Sequence, residues 1–424
     1  MLKISSVKAI QVFDSRGIPT ISCKIALENG ISASAIVPSG ASTGSKEAVE
    51  LRDNNNNYHG KSVLNAVNNV NEKLSHLIIG KDPNDQQTID ELLISFDNTN
   101  DKSEIGANAI LSVSLANAHI AAKANNIPLY QHFSKVYSDI TGANVEPRMP
   151  MPMFNILNGG EHADNNIDIQ EFMIIPSNAE NFAQAMQWGT EIYHSLKKIL
   201  QSKKYSTAVG DEGGFAPSLE SNEEALKLII HAIKDSNLEP GTDVHIALDC
   251  AASEFFDGKK YILEDGNKNL SSQEFADYLH DLTQKYPITS IEDGMHENDI
   301  SGWKILTEKL GSKCQLVGDD LFVTNEKILR NGIDQKIANS ILIKYNQVGT
   351  ITETMQTINC AGENKFKSII SHRSGETEDT TISDLSVGLG IGQIKTGAPC
   401  RSDRVAKYNR LLWIEQESNN ILLK

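Results

Sequence analysis

Six short apolar runs in this chain each stop at ionisable side chains. They are "VHIALD" at Asp249, "ITSIED" at Glu292, "CQLVGDD" at Asp319, "SILIK" at Lys344, "KSIISHR" at His372 and Arg373, and "GQIK" at Lys395. Three of these ends are carboxylates, an all-oxygen set that suits a hard cation such as Mg²⁺ better than zinc or copper. One such carboxylate alone would be an ordinary helix cap, but three on successive runs would repel one another without a cation. The two lysines have a chemical reading as well. Ammonium groups beside a divalent ion lose proton affinity, so a neutral Lys344 or Lys395 would be a competent base. The competing reading is a pair of structural salt bridges to the same carboxylates. Next to them, His372, Arg373 and Ser374 set an arginine beside a hydroxyl, a pairing suited to gripping a phosphate or carboxylate.

Other motifs add candidates. "VGDEGGFAP" puts Asp211 and Glu212 before paired glycines, where backbone approaches a ligand closely, although a plain acidic turn is the commoner meaning. "NGGEHADNNIDIQEFM" contributes His162, Gln170 and Glu171. "SGASTGSK", which contains Ser42, is not a P-loop: Gly40 and Gly44 stand too close, and no Lys-Ser/Thr follows the second glycine directly. It reads instead as a glycine loop able to close over a bound ligand.

The six strand ends need a scaffold that gathers them. They are spaced by 43, 27, 25, 28 and 23 residues, about one strand–helix unit per step. Repeats of that length, with polar residues at the strand ends, predict a parallel β/α barrel whose carboxyl end holds the site. Ahead of it, "VKAIQVF" and "TISCKIAL" alternate like strands, and Val67, Val70, Leu74, Leu77 and Ile78 share one helical face. A second helix is expected in "GANAILSVSLANAHIAAKANN" before Pro128, which makes this part α+β. Prolines in "EPRMPMPMF" place a boundary near residue 140, giving an N-terminal α+β domain over 1–140 and a β/α barrel over 141–424. "DNNNN" at 53–57 reads as a solvated loop.

The bulk composition narrows the partners. A net charge of −16 disfavours nucleic acid and anionic lipid, so an anionic substrate needs a local cationic or metal-bearing site. The five cysteines are scattered without a CxxC pair, which fits a reducing compartment. No stretch approaches the roughly 20 apolar residues of a bilayer span, and the N-terminus lacks a signal-like core, so a cytoplasmic protein is expected.

The motifs together resemble enolase of the bacterial type. The likeness runs from "DSRG" through "PSGASTG", "NGGEHADNN", "QEFM", "VGDEGG", "LDCAASEF", "SIEDG" and "VGDDLFVTN" to "SILIKYNQ", "SHRSGETEDT", "GQIKTGAP" and "RSDRVAKYN", nearly the whole chain. It implies a small N-terminal α+β domain, a β/α barrel of atypical strand order, and a homodimer or larger assembly. The reaction it implies is reversible dehydration of 2-phosphoglycerate to phosphoenolpyruvate with two Mg²⁺ ions. Position by position, Asp249, Glu292 and Asp319 resemble ligands of the first ion and Ser42 a ligand of the second. Lys344 is similar to the family's base, and Glu212, with Glu171 beside it, to the acid that helps hydroxide leave. Arg373 and Ser374 match the phosphate grip, while Gln170, His162 and Lys395 match other substrate contacts. A departure such as Ile18 after "DSRG" touches no motif residue. Two rival readings accompany this one: a barrel enzyme for a non-phosphorylated acid, and a mainly binding role in an RNA-processing or cell-surface assembly.

Overall fold

The computed structural model describes residues 2–40, 44–264, 266–418 and 421–423. Three antiparallel strands open the chain: β1 (Ile4–Phe13), β2 (Pro19–Leu27) and β3 (Ser32–Ile36). The alternation in "TISCKIAL" buries Ile21, Cys23, Ile25 and Leu27 against the helix Ala107–Ala124. That helix is apolar on nearly every face because the sheet covers one side and the helices Gln86–Asp97 and Leu129–Thr141 cover others. The expected helix around Val67 to Ile78 is present, with a π-helical stretch over Asn69–Leu74. The third strand was not evident from the sequence.

Eight strands then close a barrel: β4 (Met151–Asn158), β5 (Glu171–Ile175), β6 (His245–Asp249), β9 (Ile288–Glu292), β10 (Gln315–Gly318), β11 (Ser340–Ile343), β12 (Lys367–Ser371) and β13 (Gln393–Lys395). A small hairpin of β7 (Tyr261–Leu263) and β8 (Lys268–Leu270) sits between β6 and β9 in the chain. The fold is therefore α/β, a smaller N-terminal domain followed by a closed barrel with helices. It is not the all-parallel barrel that the repeat length predicts, because β5 runs antiparallel to both β4 and β6. Six apolar runs ending in charge gave six of the eight strands. β4 and β5 escaped the pattern, since β4 ends in Asn158 and β5 meets the mouth at its first residue.

Strand periodicity explains where the site residues point. Met153, Met173, Ile175, Ala247, Val317, Leu342 and Ile369 form a small apolar cluster of their own, drawn from six of the eight strands, and we read it as the barrel's inner layer. Their neighbours Ile341, Ile343, Leu316 and Ile370 belong instead to the main core. Side chains alternate with period two, so the next inward position after Leu342 is Lys344, after Val317 it is Asp319, and after Ala247 it is Asp249. On the reversed strand the count runs backwards from Met173 to Glu171, which pairs in register with Asp249.

The N-terminal domain joins the barrel along a buried polar seam. Asp90 accepts from the Thr352 backbone at 2.9 Å and its hydroxyl at 2.7 Å, and Ser114 accepts from the Ile351 backbone at 3.0 Å. Both therefore cap the barrel helix Ile351–Glu363 from outside it, where free backbone donors and the positive end of the dipole favour oxygen. Gln86 and Asn117 complete this network. On the helix Leu129–Thr141, His132 is buried with neither ring nitrogen hydrogen-bonded.

Candidate active site

Lys395, the last residue of β13, sits at the centre of the barrel mouth. Its Nζ donates to Asp249 Oδ2 and to both oxygens of Glu292, each at 2.8 Å, and lies 3.3 Å from Glu171 Oε1. Burial alone would lower its pKa, but Asp249, Glu171 and Glu292 together hold it well above the usual lysine range. Lys344 follows the same logic. It pairs with Asp319 Oδ2, and that carboxylate overrides burial and raises the lysine. The sequence expectation of depressed proton affinity at both lysines was for a site holding a divalent ion. Here carboxylates outnumber cations, and both are held as ammonium.

The carboxylates show the converse strain. Burial, then the Asp249 charge, pushes Glu292 well above the ordinary range, and burial with Asp320 and Asp319 does the same to Asp293. Asp320 is pushed up to about 7 by burial and Asp319. Of Glu292, Asp293, Asp319 and Asp320, only Asp319, between Lys344 and the Gln347 amide at 2.9 Å, is lowered. Asp293 accepts from the backbones of Asp319 at 3.0 Å and Asp320 at 2.8 Å, which ties β9 to the turn after β10.

This donor set is all oxygen and oversupplied with negative charge, and a hard dication such as Mg²⁺ fits it. Among the described residues, potential ligand atoms come within 4.8 Å of one another in two groups, Asp293 with Asp319 and Asp320, and His162 with Glu171 and Glu212. Of the expected ligands Asp249, Glu292 and Asp319, only Asp319 falls in such a group. Asp249 and Glu292 are drawn to Lys395 instead. Ser42 lies outside the described residues.

Glu171 and Glu212 form a coupled pair on the mouth's other side. Burial and the Glu212 charge push Glu171 well above its usual range. Burial would raise Glu212 too, but His372 and His162 override it and hold it well below. The expectation was a protonated Glu212. This arrangement favours the pair's proton on Glu171, because Glu212 accepts from Asn155 Nδ2 at 3.0 Å and faces His372 Nε2 at 3.3 Å. His162 Nδ1 lies 3.5 Å from Glu171 and 3.8 Å from Glu212. The paired glycines after Glu212 are closely packed by the chain. A Cβ on Gly213 would meet the Cys400 carbonyl at 2.8 Å, so the close approach there is to the chain itself.

Gln170, Arg373 and Ser374 line the same cavity as Lys344 and Lys395. Arg373 is buried and bonds Glu47 through two nitrogens, at 2.9 and 3.2 Å. Glu47 belongs to the N-terminal domain, and its segment is pinned to the barrel by Ser45 on Glu297 at 2.5 Å. Sequence reading missed Glu47, Asn155, Gln347 and Arg404 as members of the site. Asp293 and Asp320 were the legible omissions, since each directly follows a carboxylate already singled out.

No helix among the described residues is long and apolar enough to cross a membrane. Two protein-family models match the chain: the enolase N-terminal domain over residues 4–133 and the enolase C-terminal TIM barrel domain over residues 146–421.

Proposed function

The chain belongs to the enolase superfamily, and on that footing we propose that it is a lyase interconverting 2-phosphoglycerate and phosphoenolpyruvate with Mg²⁺. The observation that supports this reading is the single cavity lined by Lys344 and Lys395, the Glu171–Glu212 pair, and Arg373 with Ser374. A base, an acid and an anion grip thus converge from different strands. Superfamily sites are known to pair a lysine or histidine base with one or two Mg²⁺ ions.

Asp249, Glu292, Asp319 and Ser42 would hold the metal, with Asp293 and Asp320 beside them. When bound, Mg²⁺ would engage the carboxylates that keep Lys344 protonated and polarise the substrate carboxylate. Lys344, freed of its proton, takes the hydrogen from the carbon next to that carboxylate. The electron pair left on carbon forms the double bond as the C–O bond to the hydroxyl breaks. The Glu171–Glu212 pair gives its proton to the departing hydroxide, which leaves as water. Arg373 and Ser374 hold the phosphate, and Gln170, His162, His372 and Lys395 contact the rest of the substrate. Arg373 exchanges Glu47 for that phosphate.

The cytoplasmic location and homodimeric assembly belong to the same proposal. Ile10 and Phe13, each about half exposed on β1, support a covered face there. Following phosphoenolpyruvate by its ultraviolet absorbance tests the activity. A signal that appears with Mg²⁺ and vanishes with chelator is expected. Turnover of non-phosphorylated hydroxy acids alone, or no signal beside a working control enzyme, overturns the assignment.

A further inference from the structure

We propose that Arg404 is a positioning residue that fixes the tautomer of His372 and sets the 372–374 turn against the Glu212 loop. The proposal rests on the reading of this mouth as a catalytic site, but its primary test does not. Arg404 is fully buried on the helix Ser402–Glu417. One of its terminal nitrogens donates to His372 Nδ1 and to the Arg373 carbonyl at 2.6 Å. The other donates to the Ser374 carbonyl at 2.7 Å and the Asp211 carbonyl at 3.3 Å. A single rigid fork therefore joins the backbone of two segments that carry site residues.

The tautomer follows from donor and acceptor roles. A guanidinium has no lone pair to offer, so His372 Nδ1 must be the bare, accepting nitrogen. The ring proton is then on Nε2, which faces Glu212 Oε2 at 3.3 Å. A neutral donor is thus presented to the carboxylate, and burial keeps the ring from charging, pushing it down to about 3. Neither helix spacing nor any strand-end pattern marks Arg404. Space for it is made by Gly397, whose φ is +82° and where a Cβ would meet the arginine's Cδ at 2.9 Å and the Glu212 carbonyl at 2.8 Å.

The direct test is ¹⁵N NMR of histidine-labelled protein, with His372 assigned through His372→Gln. The folded wild type is expected to show protonated Nε2 and bare Nδ1 from pH 6 to 8. An Nδ1–H ring or an imidazolium in that range overturns the proposal without any Arg404 variant. Arg404→Met is expected to change the His372 tautomer signature and to lower kcat about 10- to 100-fold, the scale of a misoriented catalytic hydrogen bond. Arg404→Lys, which restores one donor, should recover part of both. A folded Arg404→Met protein with an unchanged tautomer and unchanged pH–rate profile overturns it equally. Loss of activity with the wild-type tautomer intact would overturn the tautomer role of Arg404 while leaving the catalytic reading of the site standing.

Discussion

The barrel mouth and the interdomain seam are both buried, yet the lysines of the mouth are held charged while ionisable groups away from it are driven toward neutrality. Away from the mouth, burial wins: Asp90 at the seam is pushed up to about 6 and His132 on the helix Leu129–Thr141 down to about 4, each toward its neutral form. At the mouth, Lys344 and Lys395 are raised despite burial, because carboxylates from other strands surround them. Low polarity penalises a lone charge and amplifies a paired one, so the count of opposite charges within reach decides the outcome. The seam has hydrogen bonds with which to hold two domains. The mouth has stored charge with which to do chemistry.

Breaking the mouth should have the largest effect. Lys344→Ala is expected to reduce turnover by about 10³-fold or more, roughly 4 kcal/mol of barrier, with an unchanged circular dichroism spectrum. Loss of fold in that variant would instead support the structural-salt-bridge reading. Lys395→Met leaves Asp249, Glu292 and Glu171 together without their shared cation, and should destabilise the metal-free protein by about 3–5 kcal/mol in urea unfolding. Millimolar Mg²⁺ should return part of that loss, since an ion bound only by the folded state stabilises it by mass action. No recovery would place the metal elsewhere.

The groups away from the mouth offer the finer tests. The folded pKa of His132 lies below that of an unfolded histidine, so its contribution is present above about pH 6.5 and is lost as pH falls through about 4. His132→Leu should therefore remove up to about 3 kcal/mol of acid sensitivity between those limits, read as the change in urea midpoint against wild type. Asp90 has the opposite sign. Its raised pKa makes stability fall as pH rises through about 6, and Asp90→Asn should flatten that slope at a cost of about 1–2 kcal/mol in lost helix capping.

How much of this was legible follows from where each residue sits. Asp249, Glu292, Asp319, Lys344, His372 and Lys395 announced themselves because each closes a short, mainly apolar run, a pattern with a regular spacing. Glu171 stood out only as part of a polar motif and took a role only from the family likeness, as its strand enters the site from the other direction. Glu47 and Arg404 gave no signal, since one lies in a turn-rich loop and the other on an outer helix, and only folding brings them to the mouth. Protonation was the least legible property. The residue types name candidate acids and bases only as classes, and which group holds a proton depends on partners such as Asn155 and His372 that sequence order does not reveal.

The reversal of β5 has a consequence for how the chain assembles. Because β4 and β5 pair antiparallel and are neighbours in the chain, they can zip as a local hairpin early, whereas β13 must find β4 from the far end of the barrel sequence. Short-range pairing forms quickly and long-range closure slowly, so ring closure at β13–β4 is expected as the final folding event. Lys395 on β13 would then reach its three carboxylate partners last, and the charged mouth would come together only once the whole ring is complete.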